Sequence, residues 1–293
     1  MALKGKIQDS LARLLPAGEQ GRCVIKKAVP VGGGSINKAY KLETNRGNYF
    51  LKINSASKYP LMFGAEVKGL ELLRSAGELF VPAAVSTGEE GDDAFIIMDF
   101  IEQGKRAKDF FFDFGKRLAR LHKHSAERFG LAYDNYIGSL PQSNTAHESW
   151  ADFFIQERLE RQLKLGRDSG ALGSSLAQGF GRLFRRLEEI FPVERPSLVH
   201  GDLWSGNYMT GPDGTACLFD PAVYYGHREM DIAMSRLFGG FDRDFYLGYN
   251  EEFPMEKGWE QRSDICNLYP LLVHVNLFGG SYASQVEAII RRF

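Results

Sequence analysis

Residues 199–209 read VHGDLWSGNYM: His200, Gly201 and Asp202 follow an apolar residue, and Asn207 stands five places after the aspartate. Asp, Asn, Ser and Gly all favour turns through local hydrogen bonding, so a turn is one reading of this stretch. The other is a phosphoryl-transfer loop, in which an Asp orients a hydroxyl nucleophile and an Asn five residues on holds a metal ion. The flanking residues decide between them. Downstream, NYMTGPDGTACLFD (207–220) has a Gly-Pro-Asp-Gly turn at 211–214 between two short apolar runs, which predicts a β-hairpin. Asn207 and Asp220 then fall near the open end of the hairpin, where an amide and a carboxylate face one spot. Hard oxygen donors completed by substrate phosphates make a magnesium site. A strand-end turn at Asp220 before Pro221 accounts for this convergence less well.

Upstream, VGGGSINKAYKL (31–42) is a glycine-rich connection between two strand-like runs. Glycine lets backbone N–H groups approach phosphate oxygens closely. The loop lacks the Walker GxxxxGK pattern. It partly fits GxGxxG through Gly32 and Gly34, with Gly33 between them and Asn37 where a third glycine would stand, a residue tolerant of left-handed backbone angles. Lys52 lies in YFLKIN between apolar neighbours, where an ammonium needs a partner or a route to water. Glu66, early in the next helical run, is its natural partner, and a Lys–Glu pair positions nucleotide phosphates in kinases. Each feature is weak alone. The order glycine loop, strand Lys, helix Glu, Asp…Asn loop, hairpin, Asp is the order of a kinase throughout.

From Gly21 to Ile101 the runs are strand-like, rich in β-branched and aromatic residues, and bounded by turn formers such as NRGN and EEGDD. One helix interrupts them, FGAEVKGLELLRSAG, with Val67, Leu70 and Leu73 on one face and Gly77 as its stop. The first residues add a short amphipathic helix through Ile7, Leu11, Leu14 and Leu15. After EQGKRAK the pattern turns helical, in DFFFDFGKRLARLHKHSA, ESWADFFIQERLERQLKL, LAQGFGRLFRRLEEIF, LYPLLVHVNLFG and SYASQVEAIIRRF. The expectation is an α+β chain in two lobes, 1–101 and 102–293, joined near Asp99–Gln103.

The 293 residues suffice for one large domain or two joined lobes, and a net charge of −1 gives no electrostatic footprint for nucleic acid or an anionic membrane. No run approaches the roughly 20 apolar residues of a membrane span, and the start lacks a signal-peptide apolar core. Cys23, Cys217 and Cys266 are odd in number and have no CxxC spacing, which argues against a disulfide framework or zinc site. A reducing cytoplasm is expected. His122 and His124 point to different helix faces and cannot share a metal; His122 and His274 read as packed structural residues.

HGDLWSGN together with FDPAVYYGHREMDIAMSRLFGGF resembles the fructosamine (ketosamine) kinase family, within the aminoglycoside-phosphotransferase and choline-kinase-like group. The resemblance spans nearly the whole chain. It implies a protein-kinase-like fold, with an N-terminal antiparallel sheet lobe carrying one main helix and a mainly helical C-terminal lobe. It implies ATP- and Mg2+-dependent phosphorylation of the 3-hydroxyl of a ketosamine, a deglycation activity. Asp202 would be the catalytic base, Asn207 and Asp220 the metal ligands, and Lys52 with Glu66 the phosphate anchor. The glycine loop and the hinge of Asp99, Phe100 and Ile101, behind Met98, would receive the nucleotide. His200 would support the loop, Asp231 would brace it, and Trp204 and His227 are candidates to touch the sugar. Two departures stand out. Ser35 and Ile36 replace a cysteine found in the glycine loop of some members, and Asp220-Pro221-Ala222 with a short VYYGHR leaves no room for a phosphorylated activation loop. An aminoglycoside or choline kinase is the alternative within this chemistry, and a non-catalytic binding module the alternative outside it. Free, amino-acid-bound and protein-bound adducts of fructose or ribulose all fit these residues.

Overall fold

The computed structural model describes residues 5–16, 23–32, 36–173 and 176–293, and of residues 5–7 the backbone alone. In chain order the first elements are α1 (Gly5–Leu14), β1 (Ile25–Val31), β2 (Lys38–Thr44), β3 (Gly47–Ser55), α2 (Met62–Ala76), β4 (Ala84–Glu90) and β5 (Asp93–Asp99). The five strands form one sheet in the order β1-β2-β3-β5-β4, with every pair antiparallel. Alternating apolar residues decide its register: Leu42, Leu51, Ile53, Phe95 and Ile97 are buried against Leu11 and Leu15 of the N-terminal segment. Leu14 stays partly exposed, and the side chain of Ile7 lies outside the described residues. In α2 the buried face is Met62, Phe63, Gly69, Leu70 and Leu73, and Gly77 ends the helix in the left-handed conformation expected of a stop.

The remaining elements are α3 (Phe110–Lys123), β6 (Asn135–Ile137), β7 (Leu140–Gln142), α4 (Trp150–Phe153), a π-helical stretch (Phe154–Glu160), α5 (Arg161–Asp168), α6 (Leu176–Phe184), α7 (Leu187–Ile190), β8 (Ser197–Val199), β9 (Tyr208–Thr210), β10 (Ala216–Leu218), β11 (Tyr224–Gly226), α8 (Glu229–Leu237), α9 (Arg243–Glu252), α10 (Trp259–Cys266), α11 (Leu268–Phe278) and α12 (Tyr282–Ile290). β9 and β10 form the hairpin expected around 211–214. The long helical run 148–165 is broken into three consecutive helical pieces, and 176–191 into two.

The chain divides into two compact units, Met1–Ala107 with Met209–Phe219, and Lys108–Tyr208 with Asp220–Phe293. The division expected at residue 101 therefore falls later, at Ala107/Lys108, and the hairpin leaves the helical half for the first unit. Backbone hydrogen bonds explain the transfer. Gly104 N–H donates to Thr210 C=O, Ala107 N–H to Gly214 C=O, and Leu218 N–H to Phe80 C=O. In the second unit a core of Phe153, Phe154, Leu159, Phe180, Leu183, Tyr224, Leu268 and Leu272 is enclosed by the helices, and short β8 pairs with β11 inside it. No helix among the described residues is long and apolar enough to cross a membrane.

Candidate active site

In the first unit, β3 carries Lys52 opposite Ala39 of β2 and Ile96 of β5, so the side chain emerges from the middle of the sheet. Lys52 is buried, and its Nζ lies 2.6 Å from Oε1 of Glu66 on α2. A buried ammonium is tolerable only with such charge-assisted partners. At the end of β5 the ladder with β3 stops at Tyr49↔Asp99. Phe100 and Ile101 lie beyond the end of this ladder. Phe100 is held under Lys41 Nζ at 4.4 Å from the ring centre, while Glu102 takes Lys41 at 3.3 Å and Asn48 Nδ2 at 3.1 Å. Gly32 is exposed at the end of β1, and a Cβ there would meet nothing within 4 Å. Gly33 and Gly34 lie outside the described residues. Asn37, at the third glycine position, does not use the left-handed angle it tolerates. Its Oδ1 instead accepts from Asn54 Nδ2 at 3.3 Å.

In the second unit, the loop after β8 closes on itself. Asn207 Nδ2 donates to Asp202 Oδ2 at 2.8 Å and to Asp202 C=O at 2.9 Å, and Asn207 N–H donates to Trp204 C=O at 3.0 Å. Spending both amide protons on Asp202 points Asn207 Oδ1 elsewhere. Asp220 is exposed and has φ +55°, a left-handed angle that Asp adopts more readily than most residues and that often marks a functional position. The carboxyl of Asp202 is pushed up to about 7, first by burial and then by the nearby charges of Asp220 and Asp231, against the opposing hydrogen bond from Asn207. The two oxygen donors of Asn207 and Asp220 suit a magnesium ion whose other ligands are phosphates and water. Among the described residues no group of three or more His, Cys, Asp or Glu is placed to hold a metal by itself.

A buried relay sets the loop. Asp231 on α8 accepts the backbone N–H of His200 at 2.7 Å through Oδ2 and that of Gly201 at 2.9 Å through Oδ1. Its Oδ2 also lies 3.1 Å from His122 Nε2, and His122 Nδ1 lies 2.7 Å from Tyr249 Oη. His122 hydrogen bonding holds the Asp231 carboxyl below the usual carboxylate range despite burial, which acts to raise it. Gly201 has φ +82°, and a Cβ there would stand 2.1 Å from Ala222 C=O, so only glycine fits. Ala222 N–H in turn donates to His200 C=O at 2.9 Å, which ties the segment after Asp220 to the loop that follows β8. Asp231 as a brace and His122 as a packed histidine were legible in the sequence; Tyr249, at the end of the relay, carried no local signal.

Trp204 is 36% exposed, which places it outside the core. His227 is the opposite case. It is buried beside Trp150 and Phe191, with ring centroids at 5.8 and 5.1 Å, and its Nε2 sits 3.8 Å from Glu194. The expectation that His227 reaches a sugar gives way to a place in the interior, where Glu229 N–H approaches its Nδ1 at 3.3 Å. Apolar and aromatic neighbours distant in sequence enclose it, which no local pattern reveals.

A strand lysine paired to a helix glutamate in one unit, and an Asp–Asn loop beside a left-handed Asp in the other, define a phosphotransferase with a kinase-like fold. Known structures agree. A spectinomycin phosphotransferase solved with ADP and spectinomycin superimposes with a TM-score of 0.55 at 14% identity, covering 100% of this chain and 95% of that one, a likeness of fold. The fructosamine kinase family model matches residues 8–293, and the chain belongs to that family. A probable ketoamine kinase of Enterococcus faecium is 42% identical over 269 residues, 91% of this chain and 95% of that protein. A chloroplastic protein-ribulosamine 3-kinase of Arabidopsis thaliana is 40% identical over 91% of this chain and 82% of its own length. The structure of a putative fructosamine-3-kinase from Haemophilus somnus has a TM-score of 0.86 at 30% identity, covering 98% and 96% of the two chains. The protein is a kinase.

Proposed function

We propose that this kinase transfers the γ-phosphoryl group of ATP to the 3-hydroxyl of a ketosamine, a sugar joined to an amine after glycation. The observation that carries the reading is the Asp202 carboxylate, oriented by Asn207 within a loop braced by Asp231. Asp202 takes the hydroxyl proton as the sugar oxygen attacks the γ-phosphorus and the bond to ADP breaks. Lys52, positioned by Glu66, binds the nucleotide phosphates, and the glycine loop Gly32–Gly34 and the backbone of Asp99–Ile101 hold the rest of ATP. Asn207 Oδ1 and Asp220 would hold Mg2+, which supplies charge neutralisation on the phosphates. Trp204 forms a wall of the sugar pocket. A phosphate on C3 lies α to the ketose carbonyl at C2. Once that carbonyl enolises towards C1, the phosphate is expelled from the resulting enaminol as inorganic phosphate, and water hydrolyses the C1 imine that remains, releasing the amine.

The names of the relatives support the substrate class, and the printed 3-kinase name of the plant relative supports the position. The buried, unpaired cysteines suit a reducing cytoplasm. The reading is tested by ATP consumption with a ketosamine, an aminoglycoside, choline and buffer, followed by phosphorus NMR of the product. Turnover with the ketosamine and a 3-phosphate signal are expected. Turnover restricted to choline or the aminoglycoside would replace the substrate, and none above buffer would remove the catalytic reading.

A further inference from the structure

Phe238, just past the end of α8, leaves its ring 40% exposed, and Trp204 beside it is 36% exposed. The two rings meet edge to face with centroids 6.1 Å apart. Their neighbours hold this open pair in place. Gly239 and Gly240 follow with φ of +73° and +91°. A Cβ on Gly240 would lie 2.4 Å from Ser205 Cβ, so the turn presses against the catalytic loop. Tyr208 Oη donates to Gly240 C=O at 2.7 Å and pins the same turn one residue beyond Asn207. On its other side Phe238 packs on His274 at 5.0 Å. His274 Nδ1 lies 2.7 Å from Pro270 C=O, and burial holds this imidazole below its usual range, so it is neutral near pH 7. The sequence LFGGF therefore carries an exposed aromatic ring to Trp204, two residues from the Asp202 base, with no imidazolium behind it.

We infer that Phe238 is a specificity-determining residue: with Trp204 it forms an open aromatic corner that recognises the ammonium group of the substrate. The inference rests on the ketosamine reading above, since a ketosamine carries a secondary amine that is protonated near neutral pH. A cation against an aromatic ring is attracted by its quadrupole, and a neutral atom in the same place is not. The corner thus separates an amine-bearing ketose from the same ketose carrying an ether oxygen in place of nitrogen.

The test compares kcat/KM for N-alkyl fructosamine and for the 1-O-alkyl fructose ether in wild type, Phe238→Leu and Phe238→Tyr, with Tm measured for each. Wild type should prefer the amine. In Phe238→Leu the amine-to-ether ratio should fall about 3- to 30-fold, the worth of one such contact, through KM of the amine, and Phe238→Tyr should restore it. A structural role would lower both substrates together and leave the ratio where it was; that result overturns the inference, as does an unchanged Phe238→Leu enzyme. A wild type that phosphorylates no ketosamine would overturn the proposed function and this inference with it, whereas normal wild-type turnover with an unmoved ratio overturns this inference alone.

Discussion

Asp202 and Asn207 form a unit in which one amide serves two ends. Its two protons go to the Asp202 carboxylate and carbonyl, and its oxygen points away from them, as the proposed base and cation roles require. Asp202→Asn keeps the hydrogen-bonding shape and removes the proton acceptor, so kcat should fall about 10²–10⁴-fold with nucleotide binding retained, read by steady-state kinetics beside ATP titration. At Trp204 the exposure decides between two outcomes. A buried tryptophan cut to alanine destabilises by about 3–5 kcal/mol. Trp204, 36% exposed, should lose much less. Trp204→Ala is expected to hold its Tm within a few degrees while ketosamine phosphorylation drops far more than background ATP hydrolysis; a collapse in Tm with unchanged substrate KM would return the ring to the core. In the first unit, Glu66→Ala strips compensation from the buried Lys52 ammonium, and leaving a buried charge under-compensated costs about 3–5 kcal/mol at most. Its ATP KM should rise.

The elements place these residues through backbone contacts. β8 and β11 are only three residues each, too short to hold a loop by pairing alone, so Asp231 at the start of α8 takes two of the loop's N–H groups. Hydrogen bonding to the charged form keeps the Asp231 carboxyl below its usual value. A depressed folded-state pKa contributes stability that is complete above the unfolded value, about 3.9, and is lost as pH falls through the folded value. Asp231→Asn should therefore lower Tm most at neutral pH, and the gap to wild type should close as acid protonates Asp231. A gap that is flat from pH 7 down to acid unfolding would contradict this assignment. Gly201→Ala should be worse than its size suggests, because the left-handed angle and the contact with Ala222 C=O act together.

At the scale of the molecule, the polar site residues divide between two units of the chain, Lys52 and Glu66 in one and Asp202, Asn207 and Asp220 in the other. Ligand binding to the native state raises Tm by mass action, about 2.7 kcal/mol at a hundredfold excess over Kd. ATP with Mg2+ should stabilise wild type more than ATP alone. In Asp220→Ala the extra increment from Mg2+ should vanish while that from ATP alone persists. A mutant with the full Mg2+ increment would remove Asp220 from the metal site.

The sequence by itself determined four of the five sheet strands, β4 being missed, together with the Lys52–Glu66 pairing, the Asp202…Asn207 loop and the hairpin before Asp220, because period-2 and period-3.6 patterns, turn residues and fixed local spacings are written in neighbouring residues. The kinase order of these parts was legible for the same reason. It could not place His227, whose burial depends on Trp150 and Phe191, residues far away in the chain. Nor could it show that the 209–219 hairpin joins the first unit, since backbone bonds to residues 104, 107 and 80 carry no side-chain signature. The Tyr249–His122–Asp231 relay and the Phe238 corner belong with these. Each is made of residues brought together only by packing, and which apolar or polar side chain meets which is decided by the summed burial of the whole core, not by any one stretch of the chain.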